Sequence, residues 1–425
     1  MNNTNFRKYR LSKPDKIISG EIKLTSSKSE SNRALIIQAL SKTPIKLNNL
    51  AMAQDTQLLI QLLQQDAVNY KENAEYNVGG AGTAMRFLTA YFATKSGTRI
   101  LTGNERMKLR PVKPLVDALI QLGASVSYLE KEGYPPLRIS GKLLSGNTVE
   151  IEGNISSQYI TALLLISPQL FKGLILHFKG EVTSRPYINM TLKMLERFNV
   201  CGSWEDDKII VSNQQYKAEE NQEYSIEADW SSASYWYSMV ALAEEADLKL
   251  FGLNSSSLQG DAIVKDLYAL FGVKTEFIEG GIHLTKTKPV VMSTGFDFSD
   301  CPDIVQTVIV TAAGLKIPIL LNGLHTLKLK ETDRVAALLK ELKKIGIRAE
   351  ENFPDMLEIK EYAIQTKMTG PIVETYDDHR MAMSFAPLAL LYDHIVIEHP
   401  EVVNKSYPAF WNDLKSVGFR MEEFR

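Results

Sequence analysis

Residues 154–166 read NISSQYITALLLI, a short polar loop followed by a segment that is apolar on every side. Ser and Asn favour helix starts because their side chains accept hydrogen bonds from free backbone N–H groups. A helix that is apolar all round is usually buried in a protein core. This stretch therefore predicts a buried helix over 160–166, entered from the polar loop at 154–159.

The same loop and helix recur along the chain. The polar loops lie at 27–32, 79–83, 154–159, 229–234, 300–306 and 376–379. The apolar helices behind them lie at 33–40, 84–94, 160–166, 235–243, 305–313 and 381–391. Corresponding positions are separated by 54 to 76 residues. Such regular recurrence predicts a sixfold repeat.

A second, amphipathic helix recurs in register with the first. Its copies lie at 58–68, 115–126, 188–200, 262–273, 335–347 and 409–419. In the fifth copy Lys340, Glu341, Lys343 and Lys344 are expected on the outer face. Helices often stop at Gly or Asn because the residue after the last turn prefers positive φ. The expected stops are Asp66, Gly123, Asn199, Gly272, Gly346 and Gly418.

Each repeat thus combines a buried helix, a surface helix and a few short strands. This pattern predicts an α/β (α+β) fold of six repeat units. Six such units in 425 residues exceed one comfortable core, so two lobes are expected.

The composition excludes several classes of protein. A hydrophobic fraction of 44% and a charged fraction of 23% are typical of globular proteins and exclude bulk disorder. The formal charge of −2 disfavours a protein that coats nucleic acid or an anionic membrane. No apolar run is long enough to span a bilayer, and the polar N-terminus lacks a signal-peptide core. A cytoplasmic protein is therefore expected.

Basic side chains stand at or near the predicted loops. Helix N-termini present free N–H groups and a positive dipole end, which together favour phosphate or carboxylate. Helix capping explains any single polar loop equally well, and both interpretations stay open. The candidate anion-binding residues are Lys28, Arg33, Arg86, Arg110, Lys330, Arg334, Arg380 and Lys405.

Acid–base candidates are few. Asp303 lies at a helix start, and Glu331 stands between two cations that favour its ionised form. The run 377–379 (DDH) is a weak metal candidate because consecutive residues rarely converge on one ion. Neither Cys201 nor Cys301 has the spacing of a zinc site or an evident His partner, so a catalytic thiol is disfavoured.

Five motifs together resemble the 5-enolpyruvylshikimate-3-phosphate (EPSP) synthase family. They are SKSESNR at 27–33, AGTAMR at 81–86, SSQY at 156–159, KETDR at 330–334 and DHRMAM at 378–383. The resemblance runs from about residue 17 to 414. It implies a two-lobed inside-out α/β barrel of six βαβαββ units, three per lobe. Lobe 1 would comprise 1–24 and 228–425 and lobe 2 would comprise 25–227, with the active site in the cleft between them.

The resemblance also implies the reaction. The enolpyruvyl group of phosphoenolpyruvate would pass to the 5-hydroxyl of shikimate 3-phosphate, releasing phosphate, in the shikimate pathway to chorismate and the aromatic amino acids. Neither a cofactor nor a metal would be needed. The expected partners are these two small molecules, without nucleic acid or membrane, and a monomer is expected.

The family's functional residues carry over by motif. The catalytic set would be Asp303 as acceptor of the hydroxyl proton, Glu331 as donor of the methylene proton, Lys28 and His379. Shikimate 3-phosphate would contact Lys28, Ser29, Arg33, Ser156, Ser157, Gln158, Ser184, Tyr187, Asp303 and Lys330. Phosphoenolpyruvate would contact Lys28, Gly82, Arg110, Gln158, Arg334, Arg380 and Lys405.

Three positions depart from the family pattern. Gly80 and Thr326 stand where Asn is usual, and Phe87 stands where Pro is usual. Two other functions remain as alternatives. One is the related transferase that acts on UDP-N-acetylglucosamine, which uses a cysteine in a Gly-rich, Arg-containing loop that neither cysteine here occupies. The other is a non-catalytic repeat scaffold that binds anions.

Overall fold

The structure, a computed structural model, describes residues 7–219, 223–290, 294–353, 355–362 and 370–424. The strands before residue 226 are β1 (Lys8–Ser12), β2 (Ile17–Lys23), β3 (Lys46–Asn48), β4 (Ala74–Asn77), β5 (Gly97–Thr102), β6 (Ser125–Tyr128), β7 (Leu137–Gly141), β8 (Thr148–Glu152), β9 (Leu174–Lys179), β10 (Gly202–Glu205), β11 (Lys208–Val211) and β12 (Glu223–Ser225). The later strands are β13 (Glu245–Phe251), β14 (Val273–Ile278), β15 (Gly281–Lys286), β16 (Thr294–Asp297), β17 (Ile319–Asn322), β18 (Ile347–Glu351), β19 (Leu357–Tyr362), β20 (Ile372–Val373), β21 (Ile395–Glu398) and β22 (Arg420–Phe424).

Two kinds of helix alternate with these strands. The α-helices are α1 (Lys28–Leu40), α2 (Gln54–Asn69), α3 (Gly82–Ala93), α4 (Glu105–Lys108), α5 (Lys113–Gln121), α6 (Ser157–Ile166), α7 (Arg185–Arg197), α8 (Trp230–Leu242), α9 (Val264–Leu270), α10 (Val305–Leu315), α11 (Arg334–Lys344), α12 (His379–Phe385) and α13 (Phe410–Ser416). Short 3₁₀ helices include Pro302–Ile304, His325–Leu329 and Pro400–Lys405.

All twelve helices of the predicted repeat are present. The apolar ones are α1, α3, α6, α8, α10 and α12, and the amphipathic ones are α2, α5, α7, α9, α11 and α13. Every residue of α8 except Ser231 is buried, as an apolar helix requires. Five of the six expected stops adopt positive φ: Gly123, Asn199, Gly272, Gly346 and Gly418.

The prediction that Asp66 ends its helix is wrong. α2 continues to Asn69, and the Asp66 carboxylate is buried, 2.5 Å from Nε of Arg99. A buried carboxylate must be paired, and Arg99 supplies the partner. The prediction that Glu341 lies on the outer face of α11 is also wrong, because its side chain is buried.

Five four-stranded sheets share one topology. In each sheet the first two strands are parallel and the next two pairs are antiparallel. A parallel pair needs a crossover, and in most of the units a buried apolar helix provides it. The sheets are β4-β5-β7-β6, β8-β9-β11-β10, β2-β13-β15-β14, β16-β17-β19-β18 and β20-β21-β1-β22.

The sixth repeat is reduced, since its described strands are only the parallel pair β3 and β12.

The α/β class and the repeated βαβαββ unit are confirmed. The described strands form separate open sheets rather than a closed barrel. Strand faces alternate between buried and exposed residues while the apolar helices are buried, which is the inside-out arrangement.

The chain divides into two compact units. The discontinuous unit comprises Met1–Ser26 and Glu227–Arg425, and the continuous unit comprises Ser27–Ile226. In the discontinuous unit the three apolar helices meet through small hydroxyls. Thr307 lies 3.1 Å from Ser234 and 3.1 Å from Ser384, which allows the helices to pack closely without unsatisfied hydroxyls. Among the residues described, every helix is too short or too polar to cross a bilayer.

Candidate functional site

The discontinuous unit collects its charged residues where helices begin. Asp303 lies in the 3₁₀ turn that leads into α10, and Arg334 is the first residue of α11. Arg380 is the second residue of α12, and Lys405 ends the 3₁₀ helix at 400–405. The starts of α10, α11 and α12 thus supply three of these side chains, and the 3₁₀ helix before α13 supplies Lys405. We call Asp303, Lys330, Glu331, Arg334, Asp378, Arg380 and Lys405 the Asp303 cluster.

Asp303 accepts ion pairs from three cations. Its carboxylate lies 2.9 Å from Arg380, 3.2 Å from Arg334 and 3.6 Å from Lys330. Burial alone would raise the pKa of Asp303, but the three positive charges outweigh it and hold that pKa well below its usual range. Burial lowers the pKa of Lys330, and Asp303 partly opposes the effect. Asp303 is thus ionised in this arrangement.

Glu331 is the second carboxylate of the cluster. It lies 3.0 Å from Arg334 and 3.3 Å from Lys405. Arg334 and Lys405 are thus the cations that contact this carboxylate, and Lys330 is a third positive charge close enough to interact with it. A carboxylate held between cations beside a base candidate is an arrangement suited to acid–base chemistry.

Arg334 connects the two carboxylates to a third. Its Nη1 donates to Asp303, its Nη2 to Glu331 and its Nε to Asp378 at 2.7 Å. Asp378 is fully buried and also caps α12 by accepting a hydrogen bond from the Arg380 amide at 2.8 Å. The sequence analysis placed Asp378 in a polar loop and a family motif but gave it no role beyond that of a weak metal candidate. Its N-cap position was the signal that could have identified its role.

His379 and Cys301 border the cluster. His379 is buried, with Nδ1 3.7 Å from the carboxylate of Asp378. Burial raises the pKa of the Cys301 thiol, which keeps it protonated and a poor nucleophile. Within the described residues, His, Cys, Asp and Glu side chains form no group of three or more suited to a metal.

The continuous unit builds its charged site around Arg33. This buried guanidinium donates to Thr191 at 2.9 Å and to the carbonyls of Ser29 and Tyr187 at 2.8 and 3.2 Å. Burial lowers the pKa of Arg33 to about 10, so it stays charged at neutral pH. The guanidinium lies 5.9 Å from the ring of Phe87, one of the three departures from the family pattern.

Arg110 lies directly against the start of α3. A Cβ added to Gly82 would be 2.8 Å from both Nη atoms of Arg110, so a larger residue here would displace the guanidinium from its present position. Arg110 is buried, and in the described part of the chain its Nε has no hydrogen-bond partner. A buried guanidinium at a helix N-terminus, with a donor to spare, is suited to an anion.

The remaining predicted residues surround these two arginines. Lys28 pairs with Asp55 at 3.4 Å, a partner that sequence reasoning did not identify. Gln158 lies 3.4 Å from the hydroxyl of Thr83, close to Gly82 in sequence. Ser156 caps α6 and Ser157 begins it. Ser184 precedes α7 with φ of 56°, and its carbonyl accepts a hydrogen bond from the amide of Tyr187.

Side-chain capping accounts for some of the predicted loops and not for others. Ser27, Ser156, Asp229 and Asp378 cap their helices, whereas the starts of α3 and α10 have no side-chain cap. Thr326, in the 3₁₀ helix at 325–329, buries a hydroxyl that has no partner in the described residues. The structure therefore groups the predicted residues into two sets, one in each unit.

Comparison with known proteins identifies relatives along the whole chain. The family model described as EPSP synthase (3-phosphoshikimate 1-carboxyvinyltransferase) matches residues 12–77 and 64–414. A 3-phosphoshikimate 1-carboxyvinyltransferase of Bacteroides fragilis is 46% identical over 413 residues, which cover 97% of this chain and 98% of the relative. One of Vibrio cholerae is 35% identical, covering 94% and 97%.

Solved structures show the same fold. An EPSP synthase from Acinetobacter baumannii has a TM-score of 0.76 at 19% identity, covering 99% of this chain and 100% of its own. The enolpyruvyl transferase NikO from Streptomyces tendae has a TM-score of 0.76 at 14% identity, covering 99% of each chain. At these identities the structures establish the fold alone.

Proposed function

The chain belongs to the EPSP synthase family, and we propose on that premise that its two charged sets bind and activate the family's two substrates. The reaction is transfer of the enolpyruvyl group from phosphoenolpyruvate to shikimate 3-phosphate in the shikimate pathway, as in 3-phosphoshikimate 1-carboxyvinyltransferases. The family and its relatives do not favour the UDP-N-acetylglucosamine alternative. The observation that carries the residue roles is the sharing of one guanidinium, Arg334, between Asp303 and Glu331.

The proposed chemistry is addition followed by elimination. The 5-hydroxyl of shikimate 3-phosphate attacks C2 of phosphoenolpyruvate and gives its proton to Asp303, while Glu331 delivers a proton to C3. The tetrahedral intermediate then expels phosphate while the Glu331 carboxylate takes a proton back from C3, which forms the enol ether. Lys28 and His379 complete the proposed catalytic set, with Lys28 assisting both steps by its charge.

The charges around Asp303 suggest that it becomes a base only after the substrates bind. With three cations on its carboxylate, Asp303 is too weak a base to accept a hydroxyl proton. The phosphate and carboxylate of incoming substrates would compete for Arg334, Arg380 and Lys330. Because fewer positive charges would then act on Asp303, its pKa would rise toward the useful range. Substrate binding would itself activate the base.

The residues around Arg33 in the continuous unit are the second set that we propose to bind the substrates. We assign Arg33, Ser29, Ser156, Ser157, Gln158, Ser184 and Tyr187 to shikimate 3-phosphate, and Gly82 and Arg110 to phosphoenolpyruvate. The pairing of Lys28 with Asp55 would give way to pairing with a substrate anion. Pre-positioned cations would oppose the repulsion between two polyanionic substrates, which is a large part of holding them together.

The direct test uses purified protein with shikimate 3-phosphate and phosphoenolpyruvate. Release of inorganic phosphate is expected with this acceptor and not with UDP-N-acetylglucosamine in a parallel reaction. An anion-binding scaffold would release none with either. We also propose that the protein is cytoplasmic and that it is a monomer. Sedimentation of the pure protein tests the monomer through its mass in solution.

The Gly82→Ala variant should bind phosphoenolpyruvate poorly. The new methyl group would displace the Arg110 guanidinium, so the KM for phosphoenolpyruvate should rise on the order of tenfold, the scale of one hydrogen bond to a charged group. The KM for shikimate 3-phosphate should stay within about twofold by the same reasoning. Steady-state phosphate release measures both constants.

Gly295→Ala is the matched control, because a Cβ there would make only ordinary contacts with Leu320. An unchanged KM for phosphoenolpyruvate in Gly82→Ala would remove Arg110 from that substrate's site.

A further inference from the structure

We infer that Glu341 and Tyr376 are positioning residues that hold the phosphoenolpyruvate-binding arginines Arg334 and Arg380 in place. This inference rests on the proposed function and on the assignment of both arginines to that substrate, which the family resemblance implies. Neither residue belongs to the Asp303 cluster, and each acts through the turn at 375–378.

Glu341, on α11, is hydrogen-bonded to this turn. Its carboxylate is fully buried and accepts hydrogen bonds from the Tyr376 hydroxyl at 2.5 Å and from the Glu374 amide at 3.3 Å. Lys344, one turn along α11, pairs with it at 2.7 Å. A buried carboxylate on an otherwise amphipathic helix is costly unless its partners are fixed, so these contacts define where the turn lies.

The backbone conformation of the turn is one that needs stabilising contacts. Tyr376 and Asp377 have φ of 54° and 56°, in the left-handed region that residues with a Cβ adopt only at an energetic cost. Two successive residues of this kind persist only where surrounding contacts over-determine them. The described contacts include the Glu341–Tyr376 hydrogen bond, the Lys340 ammonium 5.0 Å from the centre of the Tyr376 ring, and the hydrogen bond from the Asp378 amide to the Thr375 carbonyl at 2.9 Å.

The turn delivers Asp378 directly into the cluster. Asp378 holds Nε of Arg334 and caps the helix that carries Arg380. Arg380 in turn lies 2.9 Å from Asp303 and 3.2 Å from the hydroxyl of Tyr235. A shift of the turn would therefore move both arginines.

One rigid helix fixes both ends of this connection. Arg334 and Glu341 are seven residues apart on α11, which places them on the same face about 10 Å apart. Arg334 engages Asp378, and Glu341 engages Tyr376 two residues earlier in the turn. α11 thus holds the turn at two points, which sets the spacing between the arginines and the start of α12.

The test is Tyr376→Phe, which removes one hydroxyl and leaves the ring. We expect the KM for phosphoenolpyruvate to rise on the order of tenfold, as for one lost hydrogen bond to a charged group, with the KM for shikimate 3-phosphate within about twofold. Glu341→Gln should shift the same constant in the same direction. The control is Tyr362→Phe, which removes a hydroxyl donated to the Ile317 carbonyl, outside the cluster.

An unchanged KM for phosphoenolpyruvate in Tyr376→Phe overturns the inference, and so does an equal rise in both KM values, which would mark a general loss of structure. Arg380→Met separates this result from failure of the proposed function. If Arg380→Met also leaves the KM for phosphoenolpyruvate unchanged, the substrate assignment itself is wrong.

Discussion

A Glu331→Gln variant is expected to turn over at least about 10²-fold more slowly than the wild-type protein, the usual contribution of a positioned acid or base. Glutamine keeps the shape and a hydrogen-bonding oxygen, but it cannot deliver a proton to C3 of phosphoenolpyruvate. The ion pairs with Arg334 and Lys405 are also lost, so KM will change too, and kcat from steady-state phosphate release is the decisive quantity.

The control for this variant is Glu398→Gln, which removes a partly buried carboxylate paired with Lys8 in the same unit. It should leave kcat near the wild-type value. Asp303→Asn should match Glu331→Gln in size, since each would remove one proton transfer of the proposed reaction. Near wild-type kcat in Glu331→Gln would transfer the role of acid to another group, with Lys28 and His379 as the next candidates.

The sequence predicted the helices of both units because their signals are local. The apolar runs and polar loops lie within about a dozen residues of each other, so α6 and α8 could be located from single stretches. The charged candidates followed from the same loops, since a cation beside the start of an apolar helix is well placed to face an anion. The roles of those candidates came from family motifs, and the local pattern alone left capping and anion binding open.

The errors all involve partners distant in sequence. Asp66 looked like a helix stop because Arg99, its partner, lies 33 residues later on β5. Glu341 looked solvent-exposed because three lysines surround it in sequence, whereas Tyr376 lies 35 residues away. Asp55 and Asp378 were assigned no part in the site for the same reason. Apart from Asp378, which stands at an N-cap, these buried carboxylates have no signature in their own neighbourhood, because what makes their burial possible is a cation or hydroxyl from another element.

Arg334→Met should be the most destabilising of the substitutions considered, lowering the free energy of unfolding by about 3–5 kcal/mol. The side chain is 2% exposed and each of its donor nitrogens serves a different carboxylate. Its loss leaves Asp378, which is wholly buried, without its cation. Arg334→Lys should recover little, because an ammonium cannot reproduce a planar fork that reaches three carboxylates. Urea unfolding measures the change.

Two further variants isolate the cause. Arg348→Met removes an exposed arginine paired with Glu350 and Glu361 and should barely move the urea midpoint. Adding Asp378→Asn to Arg334→Met should restore part of the lost stability, because the amide needs no cation. If the loss in free energy of unfolding in the double variant instead equals the sum of the losses in the two single variants, the penalty does not come from the unpaired carboxylate of Asp378. The guanidinium would then stabilise the unit by packing, and Asp378 would be able to find another partner in its absence.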